Sequence, residues 1–150
     1  MGGRWAGIGL LLALSAPARA ADDETAVRRL LIDLFDKPEA RLTVDPVVID
    51  EDVAIADWSQ GDLGGRALLR RKAGVWEIAL CAGDALRQSA ALEKLGLAKT
   101  RAEALAAALA SAEKGLSPAL IARMAQFDGM VAVDSAGGHT PLDPHHRPIP

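Results

Sequence analysis

Residues 57–86 read DWSQGDLGGRALLRRKAGVWEIALCAGDAL. Two short apolar runs, Gly65–Arg71 and Val75–Cys81, meet at a Lys72-Ala73-Gly74 turn, and a Gly64-Gly65 pair precedes the first of them. Strands joined this tightly pair antiparallel, because a parallel crossover consumes a dozen or more residues. Within the second run Trp76, Ile78 and Leu80 fall on one face and Val75, Glu77, Ala79 and Cys81 on the other, so the larger apolar set is expected to face the core.

Upstream, Leu42–Ile49 and Val53–Ser59 read as two further strands around the charged turn Asp50-Glu51-Asp52, with Gln60–Gly64 as the loop that follows. Pro46 inside the first of these indicates an edge strand or an irregularity. Residues 23–36 form an amphipathic helix with Val27, Leu30, Leu31, Leu34 and Phe35 on its stripe, stopped near Pro38. Downstream, Ala85–Leu95 is a helix ended by Gly96. Thr100 and Glu103 have capping-box spacing and open an alanine-rich helix running to Lys114, with Ala102, Leu105, Leu109 and Ala112 on its buried stripe. Ser117 and Pro118 are N-cap and first residue of a last helix that buries Leu120, Met124 and Phe127. The fold class is therefore α+β: an N-terminal helix, a four-stranded antiparallel meander, and C-terminal helices packed on the sheet. These span residues 21–133 as a single domain.

The two ends read differently. Arg4 followed by the apolar run Trp5–Leu14 and by Ala18-Arg19-Ala20 has the layout of a signal peptide, residues 1–20, cleaved near Ala20. The run is too short to span a bilayer. The expected location is the periplasm, with no membrane insertion after cleavage. Residues 134–150, rich in Gly, Pro, His and Asp, lack the apolar area to fold and are expected to be a disordered tail. Removing residues 1–20 leaves 15 basic against 20 acidic side chains, a net charge of −5. That excess argues against nucleic acid as a partner, since phosphate binding requires a positive surface. Past residue 20 the aromatics are Phe35, Trp58, Trp76 and Phe127, too few for a base-stacking platform.

Candidate chemistry is sparse. Cys81 is the only cysteine, so it has no internal disulfide partner; a thiolate there would be a nucleophile or a soft-metal ligand, and the plainer alternative is a small residue packed at a strand end. His139, His145 and His146, with Asp143 nearby, supply imidazoles suited to a borderline metal such as Cu(II), or are an incidental polar tail. Met124 lies on an apolar stripe and reads as core, and Met130 six residues on does not make a thioether cluster with it. Asp57, Asp62 and Asp84 flank the central segment and read as solvated or capping carboxylates, and Asp50-Glu51-Asp52 as a charged turn. Gly61, Gly64 and Gly65 lack the helix and the Lys-Ser/Thr pair of a phosphate loop. Arg66, Arg70, Arg71 and Lys72 read as the basic tip of a hairpin, protecting an edge or docking an acidic surface. With every His outside the folded part, no catalytic residues are assigned.

The strings Val53–Leu69, Gly74-Val75-Trp76 and Leu80–Leu86, together with Val44–Val48 and Phe127-Asp128-Gly129, resemble exported bacterial proteins described as copper uptake system-associated. The resemblance covers roughly residues 25–130. It implies a non-enzymatic periplasmic accessory protein of copper uptake or homeostasis, with copper as ligand and a copper transport or resistance component of the periplasm or inner membrane as partner. If such proteins bind copper directly, Cys81 is the residue of the shared motif that would do so; the tail histidines lie outside it. The other reading is a metal-independent exported binding module of inhibitor or immunity type.

Overall fold

A computed structural model describes residues 16–133. The expected tail, with His139, His145 and His146, lies outside the described residues, as does the expected signal segment up to residue 15. The meander forms as anticipated from its short connections, with one more strand than expected. Strands β1 (Leu42–Asp50), β2 (Val53–Gln60), β3 (Leu63–Lys72), β4 (Val75–Ala82) and β5 (Met130–Ala132) make one antiparallel sheet in the order β1-β2-β3-β4-β5. At three residues, β5 offers too little pattern to read from sequence, and only pairing with β4 defines it. Pro46 sits in the edge strand β1, where the register shifts between Val44 and Val47, so its missing N–H costs the ladder little.

Both faces of the sheet are covered. Helix α1 (Ala16–Phe35) starts seven residues earlier than the amphipathic pattern indicated. It buries Val27, Leu31 and Phe35 against Val44, Val47, Ala54, Ala56, Trp58, Leu69, Trp76 and Ile78. Leu34, also on the expected stripe, is exposed. On the opposite face a 3-10 turn (Asp84–Arg87) and helices α2 (Ser89–Lys94) and α3 (Lys99–Glu113) bury Leu86, Leu92, Leu97, Ala102, Leu105 and Leu109 against Val53, Ile55, Leu68, Leu80 and Ala82. The single helix expected over 85–95 is broken at the extended Gln88; the break lets Leu86 and Leu92 both point inward. Gly96, at φ 97°, ends α2 as expected.

Covering both faces changes the meaning of β4. The β3–β4 register shifts between Leu68 and Leu69, which pair with Leu80 and Ile78, leaving Ala79 as an inserted residue. A bulge of this kind inverts the facing of everything beyond it. Trp76 and Ile78 therefore join the α1-side core, whereas Leu80 joins the other one, and Cys81 turns to the α1 side. The expectation that Trp76, Ile78 and Leu80 share a face is corrected accordingly.

Two local readings are also corrected. The N-cap of α3 is Ala98, not Thr100, and Ala98 makes no side-chain cap. The helix start is set by tertiary contacts: Leu97 is buried, and Arg101 in the first turn grips the β1–β2 turn through Asp50 Oδ2 at 2.6 Å and Asp52 Oδ1 at 2.8 Å. The α3 stripe continues from Leu109 to a buried Glu113, while Ala112 is exposed. Helix α4 (Pro118–Ala125) is capped as read, the Ser117 Oγ accepting from the Leu120 N–H at 3.2 Å. Of its expected buried residues, Met124 is buried while Leu120 and Phe127 are half-buried.

Candidate functional site

One end of the sheet gathers the informative residues of the 57–86 segment. Trp58 and Gly65 face each other across β2 and β3. A Cβ on Gly65 would lie 2.7 Å from Trp58 Cζ2 and 2.9 Å from Phe127 Cδ2. Trp58 and Phe127 meet edge to face, with centroids 5.8 Å apart, an arrangement the ring quadrupoles favour. At the end of β4, a Cβ on Gly83 would lie 2.6 Å from the Phe127 carbonyl oxygen. The two glycines thus let the chain leaving α4 press onto the sheet end, and the residue types at 65 and 83 follow from contact rather than from ligand binding.

Cys81 lies in this packing at 1% exposure. Burial pushes its thiol up to about 12, with a smaller opposing pull from Trp58. Burial thus favours the protonated thiol at neutral pH in the folded state. Among the described residues no three His, Cys, Asp or Glu side chains are arranged to hold a metal ion. The structure does not bring Cys81 together with another described candidate ligand.

On the opposite face, the same end of the sheet carries a group of charges that the sequence reading placed at the surface. Asp57 and Arg66 are cross-strand partners, and both are fully buried. The Arg66 guanidinium reaches Glu113 Oε1 from Nε at 2.7 Å, Asp84 Oδ1 from Nη1 at 3.1 Å, and Asp57 Oδ1 from Nε at 3.5 Å. Arg87 Nε lies 2.9 Å from Glu113 Oε2. β3 is an interior strand, so Arg66 protects no edge; it ties β2, β3, the 3-10 turn and α3 together. The other basic residues do sit at the hairpin end, but as internal ties. Arg71 donates to both Asp23 oxygens at 2.7 and 2.9 Å and stacks over Trp76 at 5.2 Å, and Arg70 donates to the Leu95 carbonyl. Lys72, largely exposed, lies 3.6 Å from Glu77.

Asp57 is the anomalous member. Neither of its carboxyl oxygens, nor Arg66 Nη2, has a hydrogen-bond partner among the described residues. Burial raises the Asp57 carboxyl to about 8, opposed by the Arg66 charge and reinforced by Glu113. Sequence reasoning missed Asp57 and Glu113 as buried charges. The signal for Glu113 was present in the spacing 102, 105, 109, 113, which places a glutamate on the apolar stripe of α3. The signal for Asp57 was its position between Ala56 and Trp58, in a strand whose every other residue is apolar up to Ser59.

Elsewhere, a shallow hollow of about 400 Å3 runs along α1, lined by Asp22, Thr25, Ala26, Arg29, Leu30 and Asp33. All six belong to one helix, so no groups converge on it from a second element. No described helix is long and apolar enough to cross a membrane. No protein-family model matches the chain, and neither a curated protein nor a solved structure is significantly similar to it.

Proposed function

We propose that the chain is an exported, non-enzymatic accessory protein of bacterial copper handling, whose folded body is a docking module for a copper transport or resistance component and whose metal capture is left to His139, His145 and His146. The observation that carries the reading is the convergence of the separate strings of the resemblance. Trp58, Gly65, Cys81, Gly83 and Phe127 come from three parts of the chain and pack at one end of the sheet, so the shared residues form one structural unit. The docking reading is supported by the state of Cys81, because ligation of Cu(I) would require exposing and deprotonating a thiol held up near 12.

The test is a copper titration, with Cu(I) under reducing conditions and with Cu(II), on the chain from Ala21, on its Cys81→Ser variant, and on the chain ending at Val133. Binding that survives in Cys81→Ser and disappears on truncation is the expected outcome. Binding lost in Cys81→Ser moves the metal site into the fold. If no form binds more tightly than a scrambled His-containing peptide, metal capture fails and the metal-independent binding module stands in its place.

A further inference from the structure

Counting charges around Asp57 shows that the group does not balance when fully ionised. From its own strand β2 comes Asp57. β3 contributes Arg66, α3 contributes Glu113, and the 3-10 turn contributes Asp84 and Arg87. Of the neighbouring elements, β1 carries Asp45, which is 62% exposed and held by Arg28, and α4 carries Arg123, whose side-chain stem lies against Gly64. The interior part, Asp57, Glu113 and Arg66, would hold two negative charges against one positive, at side-chain exposures of 0%, 2% and 0%. Arg66 spends Nε on Glu113 and Nη1 on Asp84, and Asp57 has only a 3.5 Å approach to it. A buried carboxylate with no hydrogen-bond donor is costly, and the Glu113 carboxyl on the same guanidinium adds to the cost of ionising Asp57.

We propose that Asp57, Arg66 and Glu113 form a protonation-operated latch: a proton held on the buried Asp57 carboxyl keeps the last turn of α3 and the 3-10 turn clamped to the sheet, and its loss releases them. Glu113 is the part that yields. It is the final residue of α3, where its negative charge opposes the helix dipole, and its neighbours Lys114 and Gly115 are exposed. Asp57, by contrast, is fixed by ladder pairing in the second strand of the sheet. Once the proton leaves, repulsion is relieved most cheaply by swinging Glu113 outward, which frees Arg87 and with it the 3-10 turn. The raised carboxyl of Asp57 places the transition near neutral to mildly alkaline pH. The latch is independent of copper binding, so its test and the titration above fail separately.

The experiment is amide hydrogen exchange by mass spectrometry on the full chain from pH 5 to 9, corrected for intrinsic exchange, comparing the native protein with Asp57→Asn and Glu113→Gln. In the native chain, protection across residues 105–113 and 84–87 should fall at least tenfold between pH 6 and 9, while α1 and β2 keep theirs. In both variants that pH dependence should be lost. Native protection that stays flat, or a fall that persists in Asp57→Asn, overturns the latch. A carbon-13 carboxyl titration of the native chain keeps the test open if the variants do not fold: Asp57 must titrate in step with the amide shifts at the end of α3, and an Asp57 already ionised at pH 5 overturns the proposal.

Discussion

Gly65 and Gly83 show how a single missing Cβ decides where an element can lie. At Gly65 the added atom would meet two aromatic rings, at 2.7 and 2.9 Å, and the nearer, Trp58, is itself buried. Overpacking of this kind costs about 1–3 kcal/mol. Gly65→Ala should therefore lower the midpoint of urea unfolding, whereas Gly115→Ala, with nothing within 4 Å of the new atom, should leave it nearly unchanged. Equal midpoints for the two would mean that α4 and Phe127 do not press on the sheet end in solution. Cys81 belongs to the same packed region. Its placement beside Trp58 keeps the thiol out of solvent.

At the scale of elements, three of the four sheet connections are two-residue turns, and each places a residue in the left-handed region: Glu51 at φ 54°, Gly61 at 58°, and both Ala73 and Gly74 at 49° and 80°. The Ala73-Gly74 turn has the geometry that asparagine-glycine fits best, and alanine there carries a left-handed penalty of about 1 kcal/mol. Ala73→Asn should accordingly stabilise the protein by about 0.5–1 kcal/mol, read as a rise in unfolding midpoint; a drop would show that the side chain at 73 makes contacts the turn depends on. Such turns are what made the meander legible in the sequence, together with the apolar run of β2 and the alternation in β4. Less legible was everything that depends on a second layer. The bulge at Ala79 leaves no mark in composition, so Leu80 and Cys81 were assigned to each other's faces. The start of α3 went to the better capping sequence at Thr100, because the pull of Arg101 on the β1–β2 turn is a tertiary effect. Arg66 reads as part of a hairpin tip and Asp57 as a solvated or capping carboxylate on residue type alone; with helices on both sides, an interior strand has no solvent face on which to put them.

For the molecule as a whole, the buried charges should reverse the ordinary relation between pH and stability. Asp57 is raised from 3.8 to about 8 in the folded protein, so the folded state holds a proton that the unfolded chain releases. Where the native state binds more protons, stability falls as pH rises. The contribution is therefore complete below about pH 4, declines between pH 4 and 8, and is flat above. The slope approaches about 1.4 kcal/mol per pH unit where the unfolded group is ionised and the folded one is not. Asp52, lowered chiefly by its hydrogen bond to Arg101, works in the other direction, its contribution fading as pH drops below 4. Its side chain is 57% exposed, and solvent screening keeps that contribution small. The net expectation is a urea midpoint that declines steadily from pH 5 to pH 8, and a shallower decline in Asp57→Asn, whose amide does not titrate. A native midpoint that rises over the same interval would mean that Asp57 is ionised in the folded protein, with its charge met by Arg66 alone. The proton that clamps the end of α3 would then be absent, and Arg66 would hold α3 to the sheet as a plain ion pair with Glu113.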